Sequence, residues 1–381
     1  MQLVYTNEIK QRLKGGSLQM NQKLQWLRNK MSSLDMQGII ISNPINIKYL
    51  TNIDAEGTLV ITPKENMYIT DGRYIEYVHS ILTLFDEIIV YDACDLSKED
   101  YENIFMYCEN VGFEEHYISY ATYKEYIRKY KIHNFVETEY IIEKQRMIKD
   151  DEEISNIIKA CNITDDCFKY ILSYIKPGMT EKQIAKEIDD YYIERTDGVS
   201  FDTIVASGEN SSKPHAVPSN RKIQEKDIIT IDMGCKVNGY CSDMTRTFFV
   251  GEPTEEMKHI YDLVLRNQEF ALDQYKEGAS TRQVTKMVEN DFKLNGYDFI
   301  HSLGHGVGLE IHEPPYVGIR NDTILRENMV VTDEPGIYIP GKFGVRIEDT
   351  VQITKFGCVS LTTSDKNYVI ITWFLLKYVV K

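Results

Sequence analysis

The sequence predicts an α/β domain over residues 1–145, followed by an α+β domain with pseudo-twofold symmetry over residues 146–381. Three observations support this prediction. The chain of 381 residues is longer than one ordinary domain. Its first part alternates short apolar runs with amphipathic helical stretches, as α/β domains do. Its second part repeats one sequence pattern after one hundred residues, which indicates two related halves.

The elements of the first domain follow from the spacing of apolar side chains. Short apolar runs bounded by polar or turn-forming residues predict strands at 38–43, 57–62 and 67–74. Apolar side chains spaced for one face of a helix predict helices at 21–34, 101–107 and 121–132. No cluster of acids, bases or metal ligands accompanies these elements, so we expect a structural or dimer-forming role. Residues 1–19 are a candidate disordered segment.

The second domain opens with a long helical pattern over residues 141–175. The repeat follows, because KPGMTEKQIAKEI, which begins at Lys176, matches KEGASTRQVTKMV, which begins at Lys276. Each copy has a glycine suited to the end of a helix and then a Ser/Thr-x-x-Gln capping box that starts the next helix. Two equivalent turn–helix units predict a pseudo-symmetric domain, and chance similarity of two capping motifs is the alternative.

The composition excludes some classes of function. With 43% hydrophobic and 27% charged residues, the chain has the composition of a soluble globular protein. Its net charge of -15 argues against nucleic-acid binding, because a phosphate backbone requires an excess of Lys and Arg. The seven cysteines form no CxxC pair and no metal-ribbon spacing, which indicates reduced thiols in a cytoplasmic protein.

Neither end of the chain indicates a membrane protein. The N-terminal residues lack the apolar core of a signal peptide. Near the C-terminus, YVIITWFLLKYVV is apolar, but it contains Lys377 and is shorter than the roughly 20 residues that span a bilayer. We therefore expect this segment to be a terminal packing element.

The segment TIDMGCKVNGYCSDMTRTFF predicts a hairpin that carries two aspartates. The Asn-Gly pair at 238–239 is a strong signal for a two-residue turn, and this turn sets Asp232 opposite Thr245 and Asp243 opposite Gly234. Both aspartates then point to the same face, as diagonal neighbours about 7 Å apart. We expect Gly234 to leave open space across from Asp243, and the Thr245 hydroxyl to orient Asp232.

The segment MVVTDEPGIYIPGKFGVRIEDTVQI predicts a second hairpin with acidic residues. A three-residue loop at 340–342 would set Glu334 directly opposite Glu348. Like charges that face each other destabilise a pair of strands. For either hairpin alone, a solvated polar face is the alternative, but two such hairpins in one pseudo-symmetric domain favour a cation site.

Between the hairpins, HSLGHGVGLEIHEPP places His305 and His312 near three glycines. These glycines fit neither GxGxxG nor the P-loop, and the GxSxG and HExxH motifs are absent. Glycines beside a histidine instead allow the backbone to pass close to a crowded site. Four gathered carboxylates would stay partly protonated unless cations neutralised them, and two divalent ions balance their charge. Carboxylates with one imidazole suit Mn²⁺, with Co²⁺ or Zn²⁺ as alternatives.

Five motifs occur in the order IDMG, SDMTRTF, GHGVGLEIHE, TDEPGIY and GVRIED. Together they resemble the pita-bread metallopeptidases, which include prolidase, aminopeptidase P and methionine aminopeptidase. The resemblance covers about residues 150–365 and implies an α+β pseudo-twofold pita-bread catalytic domain. In the first domain, YITDGRY and TNIDAEGTLVIT resemble the creatinase-type N-terminal domain more weakly. The metal ligands that the family implies are Asp232, Asp243, His305, Glu334 and Glu348.

The resemblance also implies an amidohydrolase mechanism. Two divalent ions would lower the pKa of a shared water, so that hydroxide attacks the scissile carbonyl carbon. Glu334 would be the acid/base partner as well as a ligand. His312, together with His215 in the prolidase-like segment PHAVPSNR, would donate hydrogen bonds to the substrate and the oxyanion. Arg346 lies two residues before Glu348 and would fix that carboxylate or an acidic neighbour.

Some positions depart from the family pattern. Asp333 lies beside Glu334 where relatives often carry an apolar residue, and alternation along a strand predicts that it points away from the metals. The segment TNIDAEG is a loose version of the loop in the family's N-terminal domain. His301 receives no role from the sequence.

The separate first domain favours the prolidase, aminopeptidase P and creatinase branch of the family. We expect cleavage before a proline in the second position of short peptides, either as an Xaa-Pro aminopeptidase or as an Xaa-Pro dipeptidase, by a homodimer. The alternatives are a non-catalytic binding scaffold with the creatinase fold, a methionine aminopeptidase, and an amidinohydrolase of the creatinase kind. The complete ligand set argues against the last of these.

Overall fold

The computed structural model describes residues 22–82, 88–372 and 377–380. The chain divides into two compact units, Met1–Gln145 and Arg146–Lys381. The candidate disordered segment 1–19 lies outside the described residues.

The first unit contains one mixed sheet of six strands. In sequence order the strands are β1 (Gly38–Ile41), β2 (Thr58–Ile61), β3 (Asn66–Thr70), β4 (Ile88–Asp92), β5 (Asn110–Phe113) and β6 (Asn134–Glu137). Their spatial order is β4-β3-β2-β1-β5-β6. The pairs β3–β4, β1–β5 and β5–β6 are parallel, whereas β1–β2 and β2–β3 are antiparallel. The three strands predicted from the sequence are therefore confirmed.

Helices connect these strands. They are α1 (22–33), α2 (Pro44–Thr51), α3 (Ile75–Leu82), α4 (Lys98–Asn103), α5 (Tyr120–Tyr130) and α6 (Ile141–Arg146). The helices predicted at 21–34 and 121–132 are confirmed. The helix predicted at 101–107 is displaced, because a capping box between Ser97 and Asp100 starts α4 earlier and the helix ends at Asn103.

One buried carboxylate contacts the backbone at the N-terminus of α2. Glu114 follows β5, is 6% exposed, and accepts hydrogen bonds from the backbone N–H groups of Ser42 and Asn43 at 2.6 and 2.8 Å. The amide of Asn46 donates a third hydrogen bond at 2.7 Å. These donors compensate part of the desolvation of Glu114.

Glu114 is expected to make the stability of the protein depend on pH. Burial raises the pKa of Glu114 to about 7, although the N–H donors favour its charged form. A carboxyl whose pKa is raised by folding binds protons more tightly in the folded state, so its contribution to stability falls as pH rises from 4.5 to about 7. The total change is on the order of 3 kcal/mol.

Urea unfolding of the wild type and of Glu114→Gln, followed by circular dichroism at about pH 5 and about pH 8, measures this effect. The other titrating groups are common to both proteins. Between about pH 5 and about pH 8 the unfolding free energy of the wild type should therefore fall relative to that of the Gln variant. A difference that stays constant between the two conditions would contradict the prediction.

The second unit contains two sheets of five strands, with helices packed on them. Its helices are α7 (Asp151–Tyr174), α8 (Glu181–Ile193), α9 (Glu255–Gln274) and α10 (Thr281–Leu294). The first sheet consists of β7 (Ile204–Ser207), β8 (Ile228–Met233), β11 (Met244–Val250), β19 (Val369–Thr372) and β20 (Lys377–Val380). The second sheet consists of β12 (Gly304–Gly306), β13 (Glu313–Val317), β14 (Val330–Asp333), β17 (Asp349–Ile353) and β18 (Cys358–Ser360).

Two short strand pairs complete the hairpins of the second unit. They are β9 (Lys236–Val237) with β10 (Tyr240–Cys241), and β15 (Gly336–Ile339) with β16 (Phe343–Arg346). The apolar C-terminal segment contributes β19, which pairs in parallel with β11 and is buried, in agreement with its predicted packing role. Among the helices that the structure describes, none combines the length and the apolar character required to cross a bilayer.

The predicted continuous helix over residues 141–175 is wrong in one respect. The segment forms two helices, α6 and α7, with a break at residues 147–150. Asp150 has an extended backbone and accepts hydrogen bonds from the N–H groups of Glu152 and Glu153, while Glu153 returns the bond to the Asp150 N–H. This capping box stops the preceding helix and starts α7.

The internal repeat corresponds to equivalent parts of the two halves. Gly178 and Gly278 have positive φ angles of 82° and 88°, as the turn before each helix requires. The strand β7 pairs antiparallel with β8 in one half, and β12 pairs antiparallel with β14 in the other. One apolar cluster lies mainly where α7 and α8 pack on the first sheet, and another where α9 and α10 pack on the second. These correspondences support pseudo-twofold symmetry.

Candidate metal centre

The first acidic hairpin has the predicted register. Val237 pairs with Tyr240 across the Asn-Gly turn, and Asp232 pairs with Thr245 between β8 and β11. Asn238 and Gly239 have positive φ angles of 52° and 83°, the conformation that this two-residue turn requires. The turn therefore aligns the two aspartates on one face.

The predicted role of Gly234 is wrong. A side chain at this position would not enter open space, because its Cβ would lie 2.0 Å from the carbonyl oxygen of Ser242. The two chains of the hairpin approach each other closely here, and Ser242 also donates its backbone N–H to the Cys235 carbonyl oxygen at 2.9 Å. Glycine is required by this backbone contact and not by the volume of Asp243.

The second acidic hairpin also has the predicted register. Gly336 pairs with Arg346 and Ile339 pairs with Phe343, so the loop occupies residues 340–342. Because the next ladder pairs Asp333 with Asp349, Glu334 and Glu348 lie across from each other between the two ladders. Asp333 is fully buried and is not part of the cavity lining, as alternation predicts.

The strand β12 carries His305 through a crowded region. A Cβ on Gly304 would lie 2.1 Å from the carbonyl oxygen of Thr332, and a Cβ on Gly306 would lie 2.5 Å from that of Glu313. The expectation that these glycines allow close passage of the backbone is confirmed. These close contacts leave His305, which lies between the two glycines, only 7% exposed.

All eight residues predicted for the site line one cavity of about 520 Å³. They are Asp232, Asp243, His305, Glu334, Glu348, His215, His312 and Arg346. The two hairpins and the histidine segment thus converge, although up to 133 residues of sequence separate these side chains (His215 to Glu348). The apolar part of the lining includes Phe201, Ile204 and Ile311.

The carboxylates are close enough to share cations. Oxygen atoms of Asp243 and Glu348 and a ring nitrogen of His305 all lie within 4.8 Å of one another. His305 Nε2 is 3.5 Å from Asp243 Oδ2 and 3.6 Å from Glu334 Oε1. Asp232 Oδ1 is buried and has no hydrogen-bond partner among the described residues. Such an arrangement leaves several ligand atoms directed at one small volume.

The electrostatics of the cluster fit divalent cations. Burial, together with the charges of Glu348, Asp232 and Glu334, raises the pKa of Asp243 well above its usual range. Burial and neighbouring carboxylates likewise raise the pKa of Glu348 strongly and that of Glu334 to about 8. Four carboxylates that destabilise one another's charged forms are stable together when cations neutralise them. The residues present therefore fit a pair of divalent ions.

His305 has the protonation state that a metal ligand requires. Burial and the neighbouring ring of His312 lower the pKa of His305 to about 3, so the imidazole is neutral near pH 7. Its Nδ1 lies 3.2 Å from the carbonyl oxygen of Gly306, and an N–H at Nδ1 satisfies that oxygen. This tautomer leaves the lone pair of Nε2 directed at Asp243 and Glu334.

Arg346 connects the two hairpins. Its Nη2 donates to Asp232 Oδ2 at 2.7 Å, and its Nε donates to Thr245 Oγ1 at 3.0 Å. Thr245 in turn donates to Glu348 Oε2 at 2.6 Å. The prediction that Thr245 orients Asp232 is therefore wrong, because the hydroxyl contacts Glu348 on the other hairpin. Arg346 holds the acidic neighbour Asp232 directly and Glu348 through Thr245.

Two residues that contact each other at the cavity, His301 and Tyr338, were not predicted from the sequence. His301 lines the cavity, and its Nε2 lies 3.2 Å from the Tyr338 hydroxyl. That hydroxyl accepts a hydrogen bond from Arg346 Nη1 at 2.8 Å. Burial, with the charge of Arg346, lowers the pKa of His301 to about 4 and keeps it neutral. The signal for Tyr338 was its even spacing from Glu334 in the strand-like sequence TDEPGIYI, which predicts that both lie on one face.

Both parts of the chain match known protein families. Residues 155–355 match the model of metallopeptidase family M24, and residues 23–148 match the Creatinase/Prolidase N-terminal domain. The chain is 35% identical to the Xaa-Pro dipeptidase of Pyrococcus furiosus, over 91% of this chain and 99% of that protein.

Two solved structures are also similar. The structure of the Xaa-Pro dipeptidase from Bacillus anthracis has a TM-score of 0.87 and 36% identity, and the match covers 92% of this chain and all of that one. The structure of the X-Pro aminopeptidase from Thermotoga maritima has a TM-score of 0.82 and 31% identity, with 90% of this chain and all of that one covered.

Proposed function

The chain belongs to metallopeptidase family M24, and on this premise we propose that it hydrolyses the bond before proline at the N-terminus of short peptides. It is a metallo-exopeptidase of the prolidase type. The observation that carries the proposal is the convergence of Asp243, Glu348 and His305 within 4.8 Å in a buried cavity. Relatives named as Xaa-Pro dipeptidases and an X-Pro aminopeptidase support the choice of bond.

The proposed ligands are Asp232, Asp243, His305, Glu334 and Glu348, which would hold two divalent ions, with Mn²⁺ preferred and Co²⁺ or Zn²⁺ as alternatives. When bound, the ions supply Lewis acidity, which polarises the scissile carbonyl group and acidifies water. Oxygen-rich ligation with one imidazole supports the preference for Mn²⁺. The complete ligand set argues against an amidinohydrolase of the creatinase kind.

Glu334 is the proposed acid and base. Its carboxyl group lines the cavity, and its Oε1 lies 3.6 Å from His305 Nε2, so it is placed among the other proposed ligands where the attacking water would be held. Glu334 would take the proton from the attacking water and deliver it to the nitrogen of the leaving proline. Arg346 keeps the neighbouring Asp232 carboxylate in place by its hydrogen bond of 2.7 Å.

His215 and His312 are the proposed hydrogen-bond donors to the substrate. The ring of His312 lies 4.2 Å from that of His305, centroid to centroid, and His215 also lines the cavity. Donors at these positions stabilise the negative charge that develops on the carbonyl oxygen. The apolar side chains of Phe201, Ile204 and Ile311 offer a surface for the proline ring.

Other expectations complete the proposal. The boundary near residue 145 separates a creatinase-like domain from a pita-bread catalytic domain, in line with the two compact units and the two family matches. Seven free thiols support a cytoplasmic location. We propose a homodimer, which light scattering after gel filtration would test. The net charge of -15 argues against nucleic acid as a partner.

An assay with metal-free protein that is reloaded with metal tests the proposed activity. Metal-free protein is reloaded with Mn²⁺, Co²⁺ or Zn²⁺ and offered Xaa-Pro dipeptides, Xaa-Pro-Xaa tripeptides and a Met-Ala peptide. We expect metal-dependent release of proline or of the first residue from at least one proline substrate. Cleavage of the dipeptide alone indicates a dipeptidase, and cleavage of the tripeptide alone indicates an aminopeptidase.

The same assay separates the alternative functions. Cleavage of the Met-Ala peptide alone would indicate methionine aminopeptidase activity. Metal binding without cleavage of any peptide would indicate a binding scaffold and would overturn the peptidase proposal.

A further inference from the structure

One fully buried carboxylate, Glu181, joins the two ends of the loop that carries His215. The loop follows Ser207, the last residue of β7, and returns toward β8 through Ser219. Glu181 Oε1 accepts hydrogen bonds from the backbone N–H and the hydroxyl of Ser207, both at 2.7 Å. Glu181 Oε2 accepts the same pair of bonds from Ser219, at 2.9 and 2.7 Å. The amide of Asn210, within the loop, donates to both oxygens at 3.1 Å.

The internal repeat shows that a carboxylate is not needed to start a helix at this position. Thr281 is the equivalent of Glu181 in the second half, and both are the first residues of their helices. In both halves the backbone N–H of this residue donates to the returning chain, at Arg221 in one half and at Thr323 in the other. The chain next to Thr281, residues 321–323, contributes nothing to the cavity. The carboxylate occurs in the half whose loop enters the cavity.

The position of His215 depends on the backbone around it. Among the described residues, no hydrogen bond holds its imidazole. The adjacent carbonyl oxygen of Pro214 accepts from Arg346 Nη1 at 3.1 Å, and Ser211 Oγ accepts from the Gly344 N–H at 2.9 Å. These contacts fix the middle of the loop, whereas Glu181 fixes both of its ends. Loss of the contacts to Glu181 would allow both ends, and with them His215, to shift.

We propose that Glu181 is a positioning residue that holds His215 where it can donate to the bound peptide. The proposal rests on the proposed function, which gives His215 that role. Although burial opposes ionisation, the hydrogen bonds from Ser219, Ser207 and Asn210 hold the pKa of Glu181 below its usual range. The carboxylate is therefore charged and accepts from all of these donors at neutral pH.

Glu181→Gln tests the proposal with little change in volume. The new amide group places two N–H donors where one carboxylate oxygen accepted from a backbone N–H, so one end of the loop loses its hydrogen bonds to residue 181. We expect kcat/KM for an Xaa-Pro substrate to fall on the order of 10- to 100-fold, because a displaced donor contributes little to the transition state. Binding of Mn²⁺, measured by calorimetry, should change little, because none of the proposed ligands lies on this loop.

A double-mutant cycle with His215→Ala separates positioning from general stability. If Glu181 acts through His215, adding Glu181→Gln to His215→Ala should lower kcat/KM by less than about twofold. A merely structural role predicts instead that the two losses multiply. That result would overturn the proposal.

Thr281→Val is the matched control in the other half. It removes the hydroxyl that accepts from the Thr323 N–H at 3.0 Å, so it also loosens a chain at the start of a helix. We expect a loss of thermal stability without a loss of kcat/KM. Similar losses of kcat/KM in Thr281→Val and Glu181→Gln would contradict a specific role of Glu181.

Amide hydrogen exchange of the metal-free protein gives a second readout that does not depend on turnover. Peptides within residues 208–219 should exchange faster in Glu181→Gln than in the wild type, and not faster in Thr281→Val. Unchanged exchange in this loop would overturn the proposal even if no peptide proves to be a substrate. Absence of peptidase activity with altered exchange would count against the proposed function alone.

Discussion

Replacing Asp243 with Asn is expected to abolish metal-dependent peptide hydrolysis and, at the same time, to stabilise the metal-free protein. Asp243 is 4% exposed, and the carboxylates of Glu348, Asp232 and Glu334 surround it. Asn keeps the shape of the side chain but removes one negative charge and a proposed metal ligand. Loss of this ligand should lower kcat/KM by about three orders of magnitude or more, because the ions supply several kcal/mol of transition-state stabilisation.

The gain in stability follows from the same charges. In the metal-free protein, removing one of four crowded carboxylates relieves both repulsion and desolvation, which should add about 1–3 kcal/mol to the free energy of unfolding. Adding Mn²⁺ should then raise the melting temperature of the wild type much more than that of Asp243→Asn. An ion stabilises the folded state only when it binds, and the variant should bind Mn²⁺ more weakly. Differential scanning fluorimetry with and without Mn²⁺ measures both effects.

Asp333→Asn is the matched control for this prediction. Asp333 is also a fully buried carboxylate, and it directly precedes Glu334, but it does not line the cavity. We expect Asp333→Asn to retain the stabilisation by Mn²⁺ and the peptidase activity. If the metal-free Asp243→Asn protein were less stable than the wild type, the four carboxylates would not repel one another as proposed.

Replacing Glu313 with Ala is expected to cause the largest loss of stability. Glu313 is 2% exposed and accepts from Lys149 Nζ at 3.0 Å and from the guanidinium of Arg146, both of which are buried. Although burial opposes ionisation, these two cations hold the pKa of Glu313 below its usual range. Removing the carboxylate leaves the Lys149 ammonium buried without its ion-pair partner, which costs about 3–5 kcal/mol.

Glu310→Ala provides the control, because Glu310 lies in the same segment and pairs with the same Arg146 at 2.8 Å. Its side chain is 35% exposed, so water screens the pair and we expect a loss of about 1 kcal/mol or less. Urea unfolding of the metal-free variants compares the two. Equal losses of unfolding free energy in the two variants would show that burial does not determine how much the Glu313 ion pairs contribute to stability.

The substitution Glu313→Ala should also disturb the candidate site. Glu313 directly follows His312, and its backbone pairs with Gly306, the residue after His305. The ion pairs with Arg146 and Lys149 therefore hold the segment that carries both histidines. We expect Glu313→Ala to have lower activity as well as lower stability.

The elements that carry the site, and their registers, were predictable from the sequence alone. The Asn-Gly turn fixed the pairing of Asp232 with Thr245, and the loop at 340–342 fixed the pairing of Gly336 with Arg346. Such registers are local, because a turn type and the period of two along a strand set them within a few residues. The N-caps at Thr180 and Ser280 were predictable for the same reason, but of the two predicted capping boxes only the one between Thr180 and Gln183 is complete in the structure.

Which side chains contact each other could not be predicted without the fold. The Thr245 hydroxyl contacts Glu348, which lies 103 residues away, and not the nearby Asp232. Gly234 is required by a backbone contact, and His301 joins the site through Tyr338. Glu181 is the first residue of its helix, as Thr281 is in the other copy of the repeat. No local sequence pattern therefore distinguishes the role of Glu181. This difference arises because periodicity specifies the face on which a side chain lies, whereas its partner depends on packing between distant segments.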